Sequence, residues 1–137
     1  MPKALAIDYG LSRVGLAMSD PMGLLAKPYK TIRFDGDENL AKEIAMICEA
    51  EGIDIVVIGN PVHFSGDDSD ISALVRQFAS LLEDMTTARI VIFDERLTTK
   101  RAKQIMHEQG EEPSRDKDRL NAIAAAVVLT DYLAKIS

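Results

Sequence analysis

Two short apolar runs constrain the fold more than any other feature of this sequence. IDIVVIG spans residues 53–59, ARIVIF spans residues 88–93, and both are rich in β-branched side chains. Each run follows a segment of helix length, namely residues 38–51, which precede Gly52, and residues 70–85, whose apolar side chains recur with a 3.6-residue period. A short β-branched run after a helix is most simply a buried parallel strand. The sequence therefore predicts parallel strands linked by helices.

The segment before these runs predicts antiparallel pairing instead. Residues 3–8 (KALAID) and 13–19 (RVGLAMS) have strand length and are separated by a short turn that contains Gly10, which favours a β-hairpin. Residues 26–34 form a third candidate strand, and Pro28 near its start indicates a sheet edge. Three antiparallel strands followed by helix-linked strands predict a mixed sheet with helices on its faces, which is an α/β fold.

The last third of the chain predicts two more helices. Thr98 or Thr99 could cap a helix that runs to about Gln109. Residues 117–135 predict a final helix, and its many alanines imply close packing against the sheet. The predicted order of elements is β-β-β-α-β-α-β-α-α. The length suits one domain with one substantial core, so we expect residues 1–137 to form a single domain.

Cysteine count and hydropathy exclude several protein classes. Cys48 is the only cysteine, so neither an intrachain disulfide nor a cysteine-based zinc site can form, and its apolar neighbours indicate a core position. No apolar run reaches the roughly 18 residues of a membrane span, and the first residues lack the apolar stretch of a secretory signal. We therefore expect a soluble, cytoplasmic protein without a membrane partner.

The charge distribution bears on nucleic-acid binding. The net charge of −6 and the pI of about 4.9 are not the basic footprint of a general nucleic-acid binder. Basic residues are nevertheless concentrated in two stretches, DERLTTKRAK and SRDKDR. Such clusters can bind phosphates within an acidic chain, and they can equally be ordinary solvated helix surfaces.

Acidic side chains stand at the ends of two predicted strands. Asp8 ends the first strand and Glu95 follows the last one. The carboxyl ends of parallel strands lie on the same edge of a sheet, where ligands bind. Asp118 and Asn121 are three residues apart near the start of the final helix, and therefore share one helical face. If that helix packs over the first strand, these four side chains form a cluster.

A carboxylate cluster of this kind suits a divalent metal. Desolvated carboxylates repel one another, and a hard cation such as Mg²⁺ compensates for that charge with oxygen ligands. Two ions about 3.5–4 Å apart can activate a water and stabilise the leaving oxygen in phosphodiester hydrolysis. Structural roles are the alternative: Asp8 could cap a turn, Glu95 could pair with Arg96 or Arg101, and Asp118 could interact with the helix dipole.

Four segments of the sequence resemble one protein family. They are AIDYGLSRVGLAMSDPMGLLAKPYKTI, VVIGNPVHFSG, FDERLTTKRA and LNAIAAAVVLTDYL, and together they are similar to the YqgF/RuvX family over essentially the whole chain. These Holliday-junction-resolvase-like proteins are also described as pre-16S rRNA nucleases. The resemblance implies an RNase H-like fold with a five-stranded mixed sheet. It also implies a nuclease that uses Mg²⁺ or Mn²⁺, with two ions expected, and matures the 5′ end of 16S rRNA. Its partners would be precursor rRNA and ribosomal precursor particles.

The resemblance also implies roles for individual residues. The first and second acids of the family fall on Asp8 and Glu95, whereas the third falls on Asn121, whose amide oxygen can bind a metal without adding negative charge. Asp118, one turn earlier, is the predicted third catalytic acid, and all four residues are predicted metal ligands. The basic residues expected to bind nucleic acid are Arg13, Arg96, Lys100, Arg101, Arg115 and Lys117.

Three other functions remain open at the level of sequence. The substrate could be a branched DNA junction, and a resolvase would then need two active sites and hence a dimer. Asn121 slightly favours a non-catalytic RNA-binding factor in ribosome assembly or transcription. DYGLSRVG also resembles the first phosphate-binding turn of the actin and sugar-kinase superfamily, but the chain has length for only one such domain. His63, in a loop that departs from the family pattern, and His107 are expected to be solvated.

Overall fold

The computed structural model describes residues 2–62 and 71–136. Within these residues the chain forms one five-stranded sheet, four α-helices and a short 3₁₀ helix at Pro113–Arg115. The strands are β1 (Ala4–Asp8), β2 (Arg13–Ser19), β3 (Ala26–Arg33), β4 (Ile55–Pro61) and β5 (Arg89–Glu95). The helices are α1 (Asp37–Glu51), α2 (Ser72–Glu83), α3 (Thr98–Glu108) and α4 (Lys117–Ile136).

The strand order is β3-β2-β1-β4-β5, and the sheet is mixed as predicted. β1 pairs antiparallel with β2 and β2 pairs antiparallel with β3, whereas β1–β4 and β4–β5 are parallel pairs. β3 is an edge strand, which confirms the inference from Pro28. β4 and β5 each extend two residues beyond the predicted apolar runs, so Glu95 is the last residue of β5 rather than the residue after it.

Helices cover both faces of the sheet, and the two faces differ in side-chain size. Large apolar residues such as Leu5, Ile7 and Leu16 face α1 and α2. On the other face, small residues such as Ala6 and Ala17 pack against α4. Small side chains allow a helix to approach the strands closely, as the alanine-rich sequence of α4 predicted.

α3 lies beside α4 rather than on the sheet. Its buried residues Ala102 and Met106 pack against Ile123 and Ala124 of α4. The predicted threonine cap of α3 is wrong: the N-cap residue is Leu97, with a left-handed φ of 59°, and the helix has no side-chain capping hydrogen bond. A leucine side chain has no acceptor for the free N–H groups, and Thr98 is already the first residue of the helix with its side chain buried.

Two predictions from composition can be compared with the fold. Cys48 lies on the buried side of α1 and belongs to the core, as expected. None of the helices in the described ranges combines the length and apolar character that crossing a membrane requires.

Candidate functional site

The fold brings Asp8 and Glu95 to the same edge of the sheet. Asp8 alternates with Ala4 and Ala6, and therefore lies on the face that α4 covers. Glu95 ends β5 on the same side, where its Cγ lies 3.6 Å from the position that a Cβ on Gly59 would occupy. Parallel pairing of β1, β4 and β5 is the reason that two residues remote in sequence meet here.

Both carboxyl groups titrate far above their ordinary range. Burial raises the pKa of Asp8 to about 7. Burial also raises the pKa of Glu95 to about 7, and the negative charges of Asp8 and Asp131 add to this effect, while Arg101 opposes it. Two desolvated carboxylates close to one another are costly to ionise together, so the pair favours a cation that neutralises it.

The hydrogen bonding of Glu95 is incomplete. Its side chain is buried, and Oε2 has no hydrogen-bond partner within residues 2–62 and 71–136. A buried carboxylate oxygen without a partner is unfavourable, and a divalent cation with hard oxygen ligands would satisfy it. Asp8 and Glu95 therefore fit a Mg²⁺ or Mn²⁺ ion, which commonly takes one or two protein carboxylates and fills its other positions with waters or phosphate.

The other two predicted metal ligands make different contacts. The Asp118 carboxylate accepts a hydrogen bond from Nε of Arg13 at 3.0 Å, and its side chain is 71% exposed. The Asn121 amide donates to the Lys117 carbonyl oxygen at 2.7 Å. In the described part of the chain, no three His, Cys, Asp or Glu side chains are grouped as a metal site. The structure thus brings Asp8 and Glu95 together, and it does not bring Asp118 or Asn121 to them.

Asn121 is nevertheless close to the carboxylates through its backbone. Its backbone oxygen lies against Gly15, which is the register partner of Asp8 in the β1–β2 pair. The turn of α4 that carries Asn121 therefore lies one strand away from Asp8. A change of side-chain partner at Asn121 would be needed before it could act as a ligand.

Sequence reasoning missed two residues at this edge. The first is Asp131, which accepts two hydrogen bonds from Arg101, at 2.6 and 3.0 Å, so Arg101 makes this pair rather than the pair with Glu95 that the structural alternative allowed. Thr98 is buried, and its hydroxyl has no partner among the described residues. No local sequence signal identifies either residue, because the Arg101–Asp131 contact spans 30 positions and the burial of Thr98 depends on how α3 packs in the fold.

The predicted nucleic-acid contacts fall into two groups. Arg96 and Arg101 line an open hollow together with Glu95 and Asp131. The second group lines two adjoining clefts where α4 begins, and both clefts include Lys117. The residues of these clefts that could contact phosphate are Arg13, Lys103, His107, Arg115 and Lys117.

Lys100 is exposed on α3 and lines neither the hollow beside Glu95 nor the two clefts. His63 lies outside the described residues. His107, expected to be merely solvated, lies at the wall of one cleft.

Comparisons with known sequences agree on one family. The family profile described as "RuvX: Holliday junction resolvase" matches residues 2–135. A protein of Maridesulfovibrio salexigens is 36% identical over 133 residues, covering 97% of this chain and 98% of its own length. A protein of Chloroflexus aurantiacus is 33% identical over 129 residues, covering 94% of this chain and 84% of its own. Both carry the name "Putative pre-16S rRNA nuclease".

Comparisons with solved structures identify the fold. RuvC of T. thermophilus, solved in complex with a Holliday junction substrate, has a TM-score of 0.59 at 12% identity and covers 100% of this chain and 97% of its own. The Fowlpox virus Holliday junction resolvase has a TM-score of 0.58 at 11% identity, covering 98% and 99%. The fold is therefore the RNase H-like resolvase fold that the sequence resemblance implied.

Proposed function

The chain belongs to the RuvX family, and from this premise we propose that it is a divalent-metal-dependent nuclease that cleaves precursor 16S rRNA at its 5′ end. The observation that carries this proposal is the convergence of Asp8 and Glu95 at the carboxyl edge of the sheet, where one buried oxygen of Glu95 has no partner among the described residues. The names of the relatives support the choice of RNA substrate.

In this proposal Asp8 and Glu95 hold the cation. When bound, such an ion polarises the phosphate and lowers the pKa of an attacking water. The two carboxylates provide the negative charge that retains the ion, and their partial removal from water strengthens the attraction. Asp118 and Asn121 remain proposed ligands, and a second ion would require them to exchange their contacts with Arg13 and Lys117.

The basic residues would bind phosphates on either side of the cleaved bond. Arg96 and Arg101 stand beside Glu95, so they suit the phosphates nearest to the reaction. Arg13, Arg115 and Lys117 line the clefts at the start of α4 and suit a more distant part of the strand. Lys100 extends this charge along the exposed side of α3. We further propose that the chain acts as a single domain in the cytoplasm on ribosomal precursor particles.

Cleavage assays with two substrates test the proposal. The wild type is incubated with a 5′-extended 16S rRNA fragment and with a four-way DNA junction, in Mg²⁺, in Mn²⁺ and in EDTA. We expect cleavage of the RNA in either metal, none in EDTA, and loss of cleavage in Asp8→Asn. Asp84→Asn removes an exposed carboxylate at the end of α2, beyond the opposite face of the sheet, and should behave like the wild type.

Three results would contradict parts of the proposal. Equal RNA cleavage by the wild type and Asp8→Asn would exclude catalysis at this site. Cleavage that persists in EDTA would exclude the metal. Cleavage of the junction without cleavage of the RNA would show that the substrate is branched DNA, and RNA binding without any cleavage would favour the non-catalytic factor.

A further inference from the structure

Two buried polar atoms without partners lie close together in sequence. Oε2 of Glu95 and Oγ1 of Thr98 are both buried, and neither atom has a hydrogen-bond partner among the described residues. The two residues are 7% and 5% exposed. Buried polar groups in native proteins are nearly always paired, and an unpaired one requires an explanation such as an absent ion or a functional role.

The two residues stand where β5 ends and α3 begins, and α3 packs beside α4. Thr98 begins the buried stripe of α3 that continues through Ala102 and Met106, and this stripe packs against α4. Glu95 and Val128 of α4 both approach the position that a Cβ on Gly59 would occupy, so the Glu95 side chain also lies beside α4. Both residues therefore face α4 at the carboxyl end of β5.

At the start of α3 a polar side chain is buried, and the apolar side chain just before it is exposed to solvent. Leu97 is 47% exposed and has a left-handed backbone, whereas the neighbouring Thr98 is buried with a free hydroxyl. The buried unpaired polar group is the informative exception to ordinary burial here, whereas a single exposed leucine is common on protein surfaces. The unpaired hydroxyl of Thr98 therefore requires an explanation.

We propose that Thr98 is a positioning residue for Glu95, whose carboxylate it hydrogen-bonds at Oε2 when a divalent cation is bound. The inference rests on the proposed function, because it requires Glu95 to be a metal ligand. Residues that hydrogen-bond to a metal ligand without touching the metal commonly orient that ligand. Loss of such a hydrogen bond weakens metal binding. Thr98 has a buried free hydroxyl three residues after Glu95, and a hydrogen bond formed in the cation-bound state would satisfy both unpaired atoms.

A matched pair of substitutions separates this role from a structural one. Thr98→Val keeps the shape and removes the hydroxyl, so Mn²⁺ affinity should fall about tenfold or more. The melting temperature of the metal-free protein should rise by about 2–5 °C, because an unpaired buried hydroxyl is removed. Thr98→Ser keeps the hydroxyl and loses a methyl group, so it should bind Mn²⁺ within about threefold of the wild type while melting at a lower temperature.

Mn²⁺ affinity is measured by electron paramagnetic resonance of the free ion, with Asp8→Asn as the reference for the metal centre. Weaker binding in Asp8→Asn together with wild-type binding in Thr98→Val would overturn the role of Thr98 and leave the proposed function intact. Wild-type binding in Asp8→Asn would overturn the metal centre and the role of Thr98 with it. Thr98→Ala removes the same hydroxyl and replaces Thr98→Val in the comparison if the valine variant does not fold.

Discussion

The backbone oxygen of Asn121 lies so close to Gly15 that a Cβ at Gly15 would stand 1.9 Å from it. Gly15 is also the register partner of Asp8, so this contact sets the distance between α4 and the carboxylate edge of the sheet. The absence of a side chain at one position of β2 therefore determines how closely the last helix approaches the candidate site.

Gly15→Ala should destabilise the fold. The added methyl group meets backbone atoms that cannot rotate away, so α4 must shift, and we expect a loss of about 2–3 kcal/mol in the free energy of unfolding. Urea denaturation measures it. Gly110→Ala is the control, since its Cβ meets open space and only the positive φ of 77° opposes it, at a cost of about 1 kcal/mol. Equal losses in the two variants would show that the contact with α4 is not tight.

Asn121→Asp should strengthen metal binding. A carboxylate cannot donate to the Lys117 carbonyl as the amide does, so the side chain loses its present partner and becomes free to turn towards Asp8. We expect Mn²⁺ affinity to rise about tenfold, since a further carboxylate favours a hard cation. Isothermal titration calorimetry measures this affinity, and Asn121→Ala, which loses the amide without adding charge, should show no gain. Unchanged affinity in Asn121→Asp would mean that this turn of α4 does not reach the site.

The stability of the metal-free protein should fall as the pH rises through 7. The pKa of Asp8 is about 7 in the fold against an ordinary value of 3.8, so the folded state holds a proton that the unfolded chain has already released. This contribution is fully present below pH 3.8 and is lost through pH 7. Asp8→Asn removes it, so the stability of the variant relative to the wild type should increase by about 2–3 kcal/mol between pH 5 and pH 8.

Urea denaturation in EDTA at these two pH values tests this dependence. Mg²⁺ added at pH 8 should stabilise the wild type and not Asp8→Asn, because the ion replaces the proton as the neutralising charge. A constant difference between the two proteins at both pH values would contradict the high pKa of Asp8.

Asp131→Asn should weaken substrate binding more than it affects the chemical step. Arg101 is held by both oxygens of Asp131 beside Glu95, and an amide in that place retains only one acceptor. We expect KM for the RNA to rise about threefold to tenfold with kcat nearly unchanged, because Arg101 then loses its fixed orientation. Stability should change by less than about 1 kcal/mol, as for other partly exposed ion pairs.

Steady-state cleavage kinetics check this expectation for Asp131→Asn. Glu38→Gln is the matched control, because it breaks the exposed ion pair with Lys42 on α1, which covers the opposite face of the sheet. An unchanged KM in Asp131→Asn would exclude a substrate-orienting role for the Arg101–Asp131 pair.

Most of the fold was predictable because the signals are local. The β-branched runs, the 3.6-residue period of residues 70–85 and the turn around Gly10 each depend on neighbours in the sequence, and every predicted strand and helix is present. Pro28 also indicated the edge strand correctly. The ends of elements were less accurate, since Thr98 or Thr99 was expected to cap α3, whereas Thr98 is the first residue of the helix and its side chain is buried.

The sequence by itself determined the order of elements, the mixed sheet and the meeting of Asp8 with Glu95, because parallel strands bring their carboxyl ends to one edge whatever the side-chain details. Only the tertiary structure decided that Asp118 pairs with Arg13 and that Arg101 pairs with Asp131. Those contacts depend on the angle and depth at which α3 and α4 pack on the sheet. Side chains that are remote in the sequence compete for the same ion-pair partners at these packing contacts. No local sequence pattern shows which partner each side chain takes.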